Sequence, residues 1–387
     1  MKIKFGLLAR IITAIVLGIL FSLFLPSWGV RIFVTFNSIF SNFLGMFIPL
    51  LIIGLVAPGI ADLGKGAGKV LLITAGIAYL STILAGFFSY FTCRFTFPSL
   101  LGQSVKALGE IDMTETLDPY FSIEMPAFIS VTSALVLAFT IGLCLTAMSG
   151  TSLKGVMSDF KEMVMIVITK FIIPLLPVYI FGIFLKMGSE GHVGEVLGMF
   201  VKIIVIIFIM HVTVLVLQFV IAGLVSGKNP FKSLVTMLPA YVTALGTQSS
   251  AATIPVTLAQ TKKLGVRENV ADFTVPLCAT IHMSCSILKI VACSYAICLS
   301  MGLAIDLHTF AGFILMLAIT MVAAPGVPGG AIMAALGLLA SMFGFDANMQ
   351  GLIIALYIAM DSFGTAGNVT GDGAIAMIVN SLELDKS

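Results

Sequence analysis

The stretch LIIALYIAMDSFGTAGNVTGDGAIAMIV, residues 352–379, threads polar side chains through a largely apolar run. Asp361, Thr365, Asn368 and Asp372 sit at offsets 0, 4, 7 and 11. At about 3.6 residues per turn these offsets fall within a narrow arc of one helix face. Two carboxylates, an amide and a hydroxyl therefore form one polar stripe at membrane depth. Ionisable groups are costly there and mark solute or ion sites.

The rest of the chain has the composition of a membrane protein. It is 59% hydrophobic and only 10% charged, against about 25% charged in soluble domains. The apolar runs are long and continuous, which excludes a β-barrel and predicts an all-α membrane protein. The net charge of +2 says nothing about nucleic acid, and with no basic patch to suggest it, no nucleic-acid partner is expected. Six cysteines (Cys93, Cys144, Cys278, Cys285, Cys293 and Cys298) lack metal spacing and read as small buried hydrophobes. The first apolar run, Phe5 to Leu25, is too long for a secretory core and reads as a spanning helix.

Six conventional spans are predicted at about 5–27, 33–58, 69–92, 126–149, 160–188 and 196–226. Lys2, Lys4, Arg10, Lys65, Lys69, Lys154, Lys161, Lys228 and Lys232 cluster in one set of breaks. Glu110, Asp112, Glu115, Asp118, Glu190 and Glu195 occupy the alternate set. The excess of basic residues on one side predicts that both termini are cytoplasmic.

After residue 228 the pattern changes. Segment 230–261 is interrupted by Thr247-Gln248-Ser249-Ser250-Ala251-Ala252-Thr253, and segment 309–345 by Pro325-Gly326-Val327-Pro328-Gly329-Gly330. Neither half of either segment is long enough to cross alone. Irregular backbone at that depth persists only where it is buried in protein or lines a cavity. Paired interruptions in corresponding places point to a transporter's binding site. Between them, segment 269–302 places His282, Ser286 and Lys289 at offsets 0, 4 and 7, again on one face. Lys289 is too deep to snorkel and is expected to have an acidic partner.

At these residues the chain resembles the dicarboxylate/amino-acid:cation symporter family, the glutamate-transporter homologues. The resemblance is carried by four motifs. They are Gln248-Ser249-Ser250-Ala251-Ala252-Thr253-Ile254-Pro255-Val256-Thr257, Pro276-Leu277-Cys278-Ala279-Thr280-Ile281-His282-Met283, Gly326-Val327-Pro328-Gly329 and Asn368-Val369-Thr370-Gly371-Asp372. It implies eight transmembrane helices plus two re-entrant helical hairpins, an elevator-type transporter and a homotrimer in the cell (inner) membrane. Residues 1–58 (helices 1 and 2) and 126–188 (helices 4 and 5) would form the scaffold. Helix 3 at 69–92 and residues 196–382 would form the transport domain. The latter comprises helix 6, hairpin 1 at about 230–262, helix 7 at about 269–302, hairpin 2 at about 309–345 and helix 8 at about 348–380.

By the same resemblance Asp361 would take a substrate α-amino group, with Thr365, Asn368 and Ser286 as further polar contacts. Ser249, Ser250 and the backbone at Gly326 and Val327 would hold the substrate carboxylate. That division is sensible, because N–H groups at half-helix starts favour anions and Asp361 favours a cation.

Three departures from the family pattern shape the expected function. Acidic-substrate members carry an arginine three residues after the stripe's aspartate, and this chain has Gly364. With no guanidinium fork for a side-chain carboxylate, a neutral amino acid is the expected substrate. The span-seven sodium motif, normally Asn-Met-Asp, reads His282-Met283-Ser284 here. Asn368 and Asp372 survive as a candidate residual sodium site, but an amide oxygen and a full charge are gone. The region after Ala323-Ala324 lacks the usual hydroxyl residue and runs one residue short past Pro328. Finally, His282 and Lys289 add basic groups. Lys289 could neutralise Asp361 or Asp372, and His282 or a buried aspartate could carry a proton. Proton-linked or cation-independent transport is therefore expected, with H+ or Na+ as the coupling-ion candidates and no cofactor. The alternatives are a sodium-coupled amino-acid or dicarboxylate symporter and, in another class, an ion channel or sensor. No filter motif, soluble signalling domain or catalytic constellation favours a channel, a sensor or an enzyme. His192, His211 and His308 show no partner pattern. The sequon at Asn368-Val369-Thr370 falls inside a span and is accidental.

Overall fold

In the computed structural model, residues 6–63, 69–109, 117–191, 193–303, 305–322, 324 and 328–384 are described, and within them every regular element is helical. The N-terminal group comprises α1 (Leu7–Ser22), α2 (Ser27–Leu63), α4 (Val131–Ala147), α5 (Ser152–Val167) and α6 (Ile173–Ser189). Within it, α1 packs on α6, and α2 packs on α4, α5 and α6. The remaining elements are α3 (Lys69–Gly109), α7 (Val193–Ser226), α8 (Pro230–Thr247), α9 (Ser250–Lys263), α10 (Glu268–Ile281), α11 (Ser284–Ser300), α12 (Leu307–Val322), α13 (Gly330–Phe343), α14 (Ala347–Ala359) and α15 (Asp361–Leu384). Here α11 packs on α3, and α15 packs on α7, α8, α9 and α10.

Five helices are long and apolar enough to cross a membrane, and a sixth span, α14 with α15, is bent by 59°. The chain is a multi-pass membrane protein. The expected boundaries need several corrections. The first and fourth spans are only 16 and 17 residues long, about 24–26 Å at 1.5 Å per residue. Residues 126–130 are not helical, and Ser130 Oγ instead caps α4 by accepting from Ser133 N. The third span does not stop at 92, because Arg94 Nη1 donates to Tyr90 Oη and stays within the helix. The fifth begins at Ser152 and includes a π-helical turn at Ile168–Ile172. That turn lies just before Pro174, whose missing N–H interrupts the regular ladder. Of the six cysteines, five are buried as expected but Cys144 is exposed.

Two spans read as continuous are broken. Helix 7 breaks at His282 (φ −92°, ψ 102°) between α10 and α11. Neither Gly nor Pro sits at the break. Side chains from other helices take over two freed amides: Met283 N donates to Thr82 Oγ1 at 3.4 Å and Cys285 N to Asn368 Oδ1 at 2.8 Å. Such partners are required when backbone is buried. Helix 8 breaks at Met360, so Asp361 becomes the first residue of α15. A carboxylate there faces the positive end of the helix dipole.

The two interrupted segments each fold into a pair of helices. Between α8 and α9, Gln248 turns the chain with φ 53° and Ser249 is extended. Its Oγ accepts from Ala252 N, an N-cap bond that starts α9. The second pair is α12 and α13, the latter following Gly329 at φ +76°. At the far end Asp306 caps α12, accepting from Thr309 N and Oγ1. These bonds hold its carboxyl below the usual range.

Around them, α11 forms the centre of the molecule, with every residue from Ser284 to Cys298 buried. Ser89 Oγ on α3 donates to Leu288 O at 2.8 Å and fixes α11 laterally. In the other group a Cβ on Gly18 of α1 would lie 2.7 Å from the backbone oxygen of Phe181 on α6. Small residues permit such close helix crossings in membranes. Gly18→Val should force α1 off α6 and cost about 1–3 kcal/mol, read as a lower melting temperature in detergent. Gly45→Ala, at a glycine with open space around it, should leave the melting temperature unchanged.

Candidate functional site

The stripe of α15 meets the broken segment of α10 and α11 in two buried clusters. The first centres on Asp361. Its Oδ1 accepts from Lys289 Nζ at 3.1 Å, and its Oδ2 accepts from Gly329 N at 2.8 Å. The Lys289 ammonium also donates toward Met360 O at 3.4 Å and lies 3.7 Å from the centroid of the Tyr357 ring, a cation–π contact. Lys289 is 0% exposed and Asp361 6%. The sequence expectation of an acidic partner for Lys289 is met, and the partner is Asp361.

Gly364 explains how the lysine reaches it. A Cβ there would lie 2.5 Å from Lys289 Nζ and 2.6 Å from its Cε. The ammonium on α11 thus occupies the space into which a side chain at 364 would begin.

The second cluster centres on Asp372. Its Oδ1 accepts from His282 Nδ1 at 2.9 Å, and both side chains are buried. His282 Nε2 is 3.2 Å from Ser81 Oγ on α3 and 3.3 Å from Gln218 Nε2 on α7. Gln218 Nε2 also reaches Ser81 Oγ at 3.0 Å and Ser284 Oγ at 3.1 Å, while its Oε1 is buried without a partner. Turning this amide by 180° would aim the oxygen at the same three groups. The two orientations suit a neutral imidazole, which accepts at Nε2, and an imidazolium, which donates there.

Asn368 joins the clusters. Its Oδ1 accepts from Cys285 N, and its Nδ2 donates to Ser286 Oγ at 2.9 Å and approaches Met283 Sδ at 3.6 Å. Thr365 is buried one turn beyond Asp361. Ser249 caps α9 and Ser250, also buried, begins it, on a helix that packs against α15. Gly326 and Val327 lie outside the described residues. Among the described residues, no group of three or more His, Cys, Asp or Glu side chains could hold a metal.

Sequence reading missed Ser81, Thr82, Gln218, Tyr357 and Gly329. One signal was available, since Gln218 is a lone amide deep within the most apolar span, Leu197–Ser226. His211 was also passed over. It is buried on α7, and its Nε2 lies 3.1 Å from Cys285 O. An apolar cleft of about 320 Å³ lies between α3, α7 and α15, with Ser81 and Gln218 in its lining. Asp361 is not part of that lining, so this cleft is not where the charges converge.

Residues 7–382 match the sodium:dicarboxylate symporter family. The chain belongs to that family. Similar proteins include the serine/threonine transporters SstT of Acinetobacter baumannii strains AYE, AB307-0294 and AB0057, each 27% identical with 95% of both chains covered. The protein is a transporter and not an enzyme.

Asn368→Ala should leave the Cys285 N–H buried without its acceptor and cost about 1–3 kcal/mol. Ser286→Ala removes a hydroxyl that accepts from Asn368 and also meets Tyr357, leaves no backbone amide without its acceptor, and should cost less. Thermal unfolding in detergent compares them, and equal shifts would contradict the role given to Asn368 at the helix break.

Proposed function

We propose that the protein carries neutral amino acids across the membrane by an elevator motion without requiring sodium. The observation that carries the proposal is that each buried carboxylate of the stripe has a basic partner within the chain, Lys289 for Asp361 and His282 for Asp372. The oxygens expected to form a residual sodium site face donors instead, Asn368 Oδ1 meeting Cys285 N and Asp372 Oδ1 meeting His282 Nδ1. A hard cation needs several free oxygens, so this donor set does not fit sodium.

Two facts support a neutral substrate. The relatives named above are serine/threonine transporters. Lys289 also fills the room in which a side chain at position 364 would have to start, excluding an arginine fork there. Under this reading Asp361 receives the substrate ammonium, Thr365 and Asn368 continue its face of α15 with Ser286 opposite on α11, and the start of α9 at Ser249 and Ser250 receives the carboxylate. The α8–α9 and α12–α13 pairs act as re-entrant hairpins completing eight spans. The scaffold is α1, α2 and α4 to α6, assembled as a homotrimer in the inner membrane with cytoplasmic termini. A second reading, transport linked to a proton on the His282–Asp372 pair, is favoured by the two-way hydrogen bonding of Gln218.

Counterflow of labelled L-serine into proteoliposomes tests this. Uptake should be equal with sodium, potassium or choline outside, and threonine or alanine should compete where aspartate and succinate do not. Asp361→Ala should lower uptake about tenfold or more, corresponding to about 1.4 kcal/mol or more of lost binding. A strict need for sodium would overturn the proposal. Uptake unaffected by sodium but altered by external pH would select the proton-linked reading.

A further inference from the structure

If Asp361 receives a substrate ammonium, as proposed above, the chain already supplies a competing ammonium of its own. Lys289 has three N–H donors, and three acceptors meet it: Asp361 Oδ1, Met360 O and the Tyr357 ring. The other carboxylate oxygen is held by the N–H of Gly329 at the start of α13. Asp361 therefore has its charge balanced and both oxygens satisfied by protein groups alone. Among the described residues no second buried base is paired to it, since His282 is committed to Asp372 and His211 to the Cys285 carbonyl.

This bears on the return step of a carrier. A bare carboxylate resists dehydration, because a buried charge without a partner is strongly disfavoured. A carrier whose binding aspartate is neutralised only by cargo or a co-transported ion is held back from crossing unloaded. It is thereby forced to exchange. Here the lysine can take the cargo's place on the carboxylate, and Gly364 leaves it the space to do so.

We infer that Lys289 is a tethered stand-in for the substrate ammonium, so that the carrier crosses unloaded and catalyses net uniport as well as exchange. Substrate binding then consists of displacing the lysine from Asp361 Oδ1, and release consists of the lysine returning.

Two measurements test this on the full-length protein. In proteoliposomes preloaded with labelled L-serine, efflux into substrate-free buffer should approach the rate seen with unlabelled serine outside. In Lys289→Met the ratio of net efflux to exchange should fall about tenfold or more, the factor equivalent to about 1.4 kcal/mol. The second measurement needs no substrate. Hydrogen–deuterium exchange of the Gly329 amide should be slow in the ligand-free wild type and much faster in Lys289→Met. Protection should return in the double variant Lys289→Met/Asp361→Asn, where a neutral acceptor needs no counter-charge. Wild-type efflux that depends on external serine, or unchanged Gly329 protection in Lys289→Met, would overturn the inference. A wild type with neither exchange nor efflux would count against the amino-acid reading, and the Gly329 amide would then decide the role of Lys289 alone.

Discussion

A carboxylate in the middle of a membrane protein must find positive charge and hydrogen-bond donors, and this chain supplies both from its own residues. Lys289 and the Gly329 amide satisfy Asp361, while His282 satisfies Asp372. Much of the local architecture follows from that constraint. The ammonium reaches Asp361 only because position 364 lacks a side chain and because α11 is buried on all sides beside α15. The ion pair is held where either partner alone would be strongly destabilising.

Breaks in the helices serve the same end. At Met360 the bend makes Asp361 an N-terminal residue of α15 and turns a backbone carbonyl toward Lys289. At His282 the extended backbone lets one imidazole meet both Asp372 and the polar groups of α3 and α7. Asn368 and Thr82 then replace hydrogen bonds that a continuous helix would have made internally. The two clusters are thus connected through α15 and the α10–α11 break. A ligand that moves Lys289 acts on a helix whose register is set by the same asparagine.

Much of this was legible in the sequence, for identifiable reasons. The stripe of Asp361, Thr365, Asn368 and Asp372 was readable because polar side chains at helical spacing stand out against an apolar background. The pairing of Lys289 with an acid was readable because an ammonium at that depth has few alternatives. The two interruptions at residues 247–253 and 325–330 announced themselves through Gly, Pro and hydroxyl residues. The breaks at His282 and Met360 gave no such notice, since what stabilises them comes from Thr82, Asn368 and Lys289, far away in the chain. Ser81 was invisible for the same reason, because a contact between α3, α7 and α10 has no local sequence pattern; Gln218 stood out as an amide within an apolar span, but nothing local named its partners. The ends of α3 and α4 were misjudged because Arg94 is absorbed by Tyr90 and Ser130 caps the helix later than hydropathy suggested.

We propose that internal bases balance the buried carboxylates, so that no co-transported metal ion is needed to complete the site. Calorimetric titration of L-serine into the purified protein in lipid nanodiscs, with and without sodium, tests it most directly. Dissociation constants that agree within about twofold are expected. Tightening by sodium of about tenfold or more, a coupling of about 1.4 kcal/mol, would contradict it and return Asn368 and Asp372 to the role of cation ligands.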